Sequence, residues 1–154
     1  MNSLKHLFAL GLVLPSIAFA DISVKEAWIP EAPPTAQAMG AFMTIENSDA
    51  QSVKVIKASA PNFDRIELHE SIEENGMHKM IAQPFLTIPA KGSLELKPGG
   101  YHIMLIGVQQ PSKAGDVIPI ELTLDNGQKI MVNTSVYKRK DMMHKMPMMK
   151  GKSE

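Results

Sequence analysis

His102 and Met104 stand two apart in the apolar run Gly99-Gly100-Tyr101-His102-Ile103-Met104-Leu105-Ile106-Gly107. Bounding glycines and branched residues mark this run as a strand, in which residues two apart share a face. An imidazole and a thioether therefore project together, while Tyr101, Ile103 and Leu105 point the other way into a core. The run Arg65-Ile66-Glu67-Leu68-His69-Glu70 alternates in the same manner, with Ile66 and Leu68 inward and Glu67 and His69 outward. Beyond the Asn75-Gly76 turn, Met77-His78-Lys79-Met80 reads as the return strand of a hairpin, which carries Met80 toward His69.

The chemistry of two imidazoles and two thioethers is selective. A thioether is soft and neutral and favours Cu(I), imidazole suits both copper states, and zinc prefers thiolate or carboxylate beside histidine. Thioethers have no proton to lose, so the pH dependence of such a site rests on the imidazoles, with an unperturbed pKa of about 6.5. A strand methionine is ordinarily core filler, the place expected for Met43 and Met131. Met80 and Met104 differ from these because each follows a histidine by two positions on one face. His78 forms another histidine-x-methionine pair with Met80 and could be a supplementary ligand, but close to the turn it is expected to be an exposed hairpin residue.

The elements that must position these donors are short strands. Alternation predicts strands at 22–24, 41–47, 52–58, 65–70, 77–80, 85–88, 93–96, 101–106, 117–124 and 130–136. Turn signals such as Asn47-Ser48-Asp49, Glu74-Asn75-Gly76, Lys97-Pro98-Gly99-Gly100 and Asp125-Asn126-Gly127 separate them. With no amphipathic helix in view, the pattern predicts an all-β antiparallel sandwich or barrel. Trp28 is expected to anchor the core, and the proline-rich 29–36 segment to cross the surface outside any ladder.

Both ends depart from this pattern. Residues 1–20 have Lys5, an apolar run from Leu7 to Leu14 and a closing Ala18-Phe19-Ala20, the three parts of a signal peptide cleaved after Ala20. The mature domain is then 21–137, exported to the periplasm and free of a membrane span. It would carry 15 basic and 16 acidic residues, with no basic stripe for nucleic acid. From residue 138 to 154 the chain lacks strand alternation and is expected to be a mobile tail. Met142, Met143, His144, Met146, Met148 and Met149 crowd this tail and form a second candidate metal site. It could take Cu(II) through His144 with nitrogen or oxygen donors, or Cu(I) through the methionines. Tethering would hold it near the first site at high effective concentration.

The spacing of His69, Met80, His102 and Met104 is H-x10-M-x21-H-x-M. In this motif, and in Glu67-Leu68-His69-Glu70, Ala27-Trp28 and Thr44-Ile45-Glu46-Asn47, the chain resembles the PCuAC family of periplasmic copper chaperones over about Val24 to Val136. The resemblance implies a cupredoxin-like Greek-key β-sandwich with a Cu(I) site formed by His69, Met80, His102 and Met104. It also implies delivery of copper during assembly of the binuclear copper centre of cytochrome c oxidase. The acceptor would be a thioredoxin-like copper assembly factor or the oxidase subunit itself.

Other functions compete with delivery. The chain could be a copper-sequestering buffer, or a β-sandwich interaction module whose histidines and methionines are structural. No enzyme is expected: G-x-S-x-G, P-loop and H-E-x-x-H motifs are missing, and so is any cysteine nucleophile. The lack of cysteine also removes the thiolate that a blue-copper electron-transfer site requires.

Overall fold

In a computed structural model, which describes residues 20–143, ten strands make up most of the described residues. They are β1 Ile22–Pro30, β2 Ala38–Asn47, β3 Val53–Ser59, β4 Phe63–Glu74, β5 Met77–Ala82, β6 Leu86–Ile88, β7 Gly92–Leu96, β8 Tyr101–Val108, β9 Val117–Leu124 and β10 Lys129–Tyr137. A single helical turn, α1 Arg139–Met143, follows. The protein is all-β, as the alternation predicts, and cupredoxin-like, as the family resemblance implies. Among the described residues no helix is long and apolar enough to cross a membrane. The expected leader, apart from Ala20, and His144, Met146, Met148 and Met149 of the tail lie outside the described residues.

The strands run in the order β5-β4-β8-β2-β1-β10-β9-β3-β6, with β7 also on β2. Along one edge, β2 pairs first with β8 through residues 38–41 and then with β7 through residues 43–47. Its other edge pairs with β1. This long strand thereby joins a β5-β4-β8 wing, which carries the candidate donors, to the β1-β10-β9-β3-β6 remainder. One hydrophobic cluster takes Leu68, Ile103 and Leu105 from the wing together with Ile45, Ile120 and Leu122 from the rest, so the sheet folds over a common core. Most neighbours are antiparallel, but β1 and β10 run parallel.

Four expectations need correction. Trp28 is half-buried and lies outside the core cluster, whereas Ile29 beside it is fully buried within it. A β-bulge explains the exchange: Lys25 pairs with Thr44 but Trp28 with Phe42, so β1 holds one extra residue where Glu26 adopts φ 52°. One inserted residue reverses every later side chain of the strand. The proline-rich crossing begins later than expected, because Ile29 and Pro30 still pair with Val136 and Tyr137. A proline is tolerated at a strand's last position, where no continuing ladder needs its N–H. Met131 is 59 % exposed on β10, not core filler, because its neighbours Ile130 and Val132 take the inward side. Met43, by contrast, is buried as expected. The segment after β10 also starts with the turn of α1 rather than irregular chain; Met142 is half-buried there.

Candidate metal centre

The wing sets the donors in register. In the β4/β8 ladder Glu67 faces Met104 and His69 faces His102. Directly opposed residues of an antiparallel pair share a face, so these four side chains stand together on the side away from Leu68, Ile103 and Leu105. The imidazole rings of His69 and His102 have centroids 5.7 Å apart and are tilted by 60°. A metal bound to a ring nitrogen at about 2 Å lies about 3 Å from the ring centre, so this is a separation that two rings sharing one ion can have.

The hydrogen bonds determine which nitrogens are available. His69 Nε2 lies 2.7 Å from Glu67 Oε2, and Arg65 Nε donates to the other carboxylate oxygen at 2.7 Å. The His69 bond and then Arg65 lower the Glu67 pKa, favouring a carboxylate that can only accept. Neutral His69 must then carry its proton on Nε2, and its buried Nδ1 has no hydrogen-bond partner. His102 is arranged in the opposite sense, with Nδ1 donating to the Gly100 carbonyl at 3.1 Å and buried Nε2 left without a partner. Burial lowers the His102 pKa, which favours the neutral ring and its lone pair.

The turn between β7 and β8 supplies that carbonyl. Gly99 adopts φ 82°, and the Gly100 N–H closes the turn by donating to the Lys97 carbonyl at 3.0 Å. The Gly100 oxygen, directed back toward the wing, also accepts from the Ser71 N–H at 3.0 Å. The Lys97-Pro98-Gly99-Gly100 signal thus orients a histidine as well as reversing the chain.

An aromatic wall borders the pair on the β2 side. Phe42 is buried yet stands apart from the core cluster, with its ring centroid 6.2 Å from His102 and 4.8 Å from Trp28. Gly40 pairs with Met104, and a Cβ there would come within 3.1 Å of Phe42 Cζ. The missing side chain leaves room for the phenyl ring that stands beside His102. Phe42 was missed in the sequence, although alternation with the inward Ala41 and Met43 would have revealed its outward position. Glu67 was recognised as outward, but its bond to His69 was not foreseen.

Met80 is placed differently from the other three. It pairs with Ser71, one rung beyond the histidines on the same face, and is 62 % exposed on the edge strand β5. His69, His102 and Met104 are brought together, and Met80 stands at their outer margin. Among the described residues no group of three or more His, Cys, Asp or Glu could hold a metal ion. The thioethers are the soft donors beside the imidazole pair that could enlarge a ligand set.

The fold and this face define a small cupredoxin-like β-domain with two oppositely oriented imidazoles beside a thioether. The chain belongs to the family described as "Putative lipoprotein LpqE-like", whose model matches residues 22–136. It is 34 % identical over 107 residues to "Putative lipoprotein Lxx21020" of Leifsonia xyli, covering 69 % of this chain and 63 % of that protein. It is 31 % identical over 97 residues to "Uncharacterized protein RP573" of Rickettsia prowazekii, covering 62 % of this chain and 53 % of the relative. The match thus spans less than two thirds of the length of either curated relative.

Solved structures agree with the architecture. The structure described as "CuI-DR1885 from Deinococcus Radiodurans" superposes with a TM-score of 0.62 at 33 % identity, covering 75 % of this chain and 77 % of that one. The "Copper-bound PCuAC domain from PmoF2" superposes with a TM-score of 0.66 over 79 % of this chain and 96 % of that domain. Its sequence identity of 15 % makes it a likeness of fold.

Proposed function

We propose that this protein is a non-catalytic carrier of Cu(I), which holds the ion between His69 Nδ1, His102 Nε2 and the Met104 thioether. Met80 completes the set when the β4–β5 hairpin bends toward His69. The reading rests on one observation above all: the two facing imidazoles each have one nitrogen hydrogen-bonded and the other buried without a partner. Leaving such atoms unpaired costs about 1–3 kcal/mol each, and a bound cation removes that cost. Two neutral imidazoles and neutral thioethers suit a soft monovalent ion. The Deinococcus protein described as Cu(I)-loaded, 33 % identical to this chain, supports the same metal.

A carrier needs a site that another protein can reach, and an exposed Met80 at its margin suits ligand exchange. The copper ion moves between donor sets without change of oxidation state. Following the family resemblance, the acceptor is a thioredoxin-like copper assembly factor or the copper-centre subunit of cytochrome c oxidase. Export to the periplasm fits relatives that are described as lipoproteins. The segment from Met142 to Met149 is a second copper-collecting element in this scheme.

Competition between the protein and bicinchoninate for Cu(I) tests the reading. The expected result is one tight equivalent that is lost when His102→Ala and Met104→Ala are combined. Equal affinity in the double variant, after deletion of residues 138–154 from both proteins, would refute the core site. Transfer to an apo acceptor domain then separates a carrier from a buffer: the rate rises with acceptor concentration for the first and stays at the spontaneous dissociation rate for the second.

A further inference from the structure

His78 and Met80 repeat, on the edge strand, the histidine-x-methionine spacing of His102 and Met104. The β4/β5 register sets Ala82 opposite His69, Met80 opposite Ser71 and His78 opposite Glu73. All three β5 residues therefore share the face of the imidazole pair. The donors form a ladder, with Met104 on one side of the histidine rung and Met80, then His78, on the other. Successive rungs on a face are about 7 Å apart and neighbouring strands about 5 Å. While the hairpin keeps this extended register, Met80 is within reach of His78 but too far from Met104 for the two to grip one ion.

We infer that His78 and Met80 form an outer two-donor site for a soft monovalent cation, through which copper enters and leaves the inner site. The inference rests on the Cu(I) reading above. Met80 belongs to both sites: it joins His78 while the hairpin is extended and His69 when the hairpin bends. Every residue of β5 is exposed, so an acceptor's donors can approach an ion there without opening the core.

Charge placement supports this track. Lys79 lies on the opposite face of β5 and is paired with Glu74. Glu73, directly opposite His78, puts a carboxylate beside the outer donors. The Asn75-Gly76 turn, with φ values of 54° and 75°, is a tight two-residue connection that keeps the hairpin in register to its tip. Transfer along the ladder is a sequence of ligand exchanges at Cu(I), with no electron or proton required.

The test uses the full chain loaded with one equivalent of Cu(I), with bathocuproine disulfonate withdrawing the metal in a stopped-flow instrument. Affinity is measured separately by bicinchoninate competition. His78→Asn is expected to leave the affinity within about twofold and to slow chelator-dependent transfer about fivefold or more, as expected when a tethered donor is lost. His78→Met should restore the rate. Lys79→Gln, on the other face, should change neither quantity. An unchanged rate in His78→Asn overturns the outer site while leaving the carrier reading in place. A tenfold or greater loss of affinity would make His78 an inner ligand and also overturn it. Equal slowing by Lys79→Gln would remove its face specificity. Failure of the unmodified chain to bind Cu(I) is a different result, which ends the carrier reading itself.

Discussion

Glu67 holds His69 by a 2.7 Å hydrogen bond to Nε2, and both residues project from the same face of β4. The bond assigns His69 the tautomer opposite to that of His102, whose Nδ1 donates to a backbone carbonyl. Nitrogen NMR of the apo protein should show the Nε2-protonated tautomer for the neutral His69 ring and the Nδ1-protonated tautomer for the neutral His102 ring. Glu67→Ala should convert the first into a tautomer mixture and weaken Cu(I) binding about tenfold, the lower end of the usual cost of losing a ligand's hydrogen-bond partner. An unaltered tautomer in the variant would show that Glu67 does not orient the ring.

Burial of His102 makes apo-protein stability depend on pH. Its folded-state pKa is lowered from 6.5, chiefly by desolvation, with the Gly100 hydrogen bond acting in the opposite direction and nearby His69 lowering it further. The unfolded chain therefore binds this proton more readily than the folded one. The contribution is fully present above pH 6.5 and is lost as pH falls through the folded value. Urea midpoints of the metal-free protein should fall between pH 7.5 and pH 5, and His102→Gln should flatten that slope. A slope that survives in the variant would assign it to other groups.

Phe42 fills the space between Trp28 and His102. Phe42→Ala should destabilise the fold by about 3 kcal/mol and shift Trp28 fluorescence to longer wavelength as water reaches the indole. Phe42→Leu, which keeps most of the volume, should do less on both counts. Unchanged emission in Phe42→Ala would mean that the phenyl ring does not shield the tryptophan.

Gly107, near the end of β8, combines φ 71° with a Cβ position only 2.1 Å from Asp64 Oδ2. Gly107→Ala should cost about 2 kcal/mol or more, from the left-handed backbone and the overlap together. Adding Asp64→Gly, which also removes the Cβ that would lie 2.6 Å away, should recover the overlap part and leave the backbone part. Urea unfolding of the two single variants and the double variant separates these contributions.

Much of this architecture was legible because period-2 alternation reports directly on a half-buried strand. Ile66 and Leu68, or Ile103 and Leu105, declare the core side, and His69 and His102 follow by exclusion. The Asn75-Gly76 turn likewise announced the β4–β5 hairpin. What alternation cannot convey is which strands are neighbours: the opposition of His69 and His102 depends on a β4/β8 pairing between segments far apart in sequence. Nor does it report an interruption of its own rhythm. Val24 pairs with Ile45, a core residue, and uninterrupted counting would have carried Trp28 inward as well. The tautomers were illegible for a related reason, since one of them depends on a main-chain oxygen in a turn.

The extra residue in β1 has a consequence for anyone altering this region. Straightening the bulge with all its residues kept would exchange the destinations of Trp28 and Ile29, forcing an indole into space shaped for a smaller branched chain, whereas deleting Glu26 would leave Trp28 opposite Phe42. A strand straightened in that way would lose its fluorescent sentinel beside the histidines and gain an oversized intruder inside. The left-handed backbone at Glu26 thus decides on which side of the sheet the indole stands.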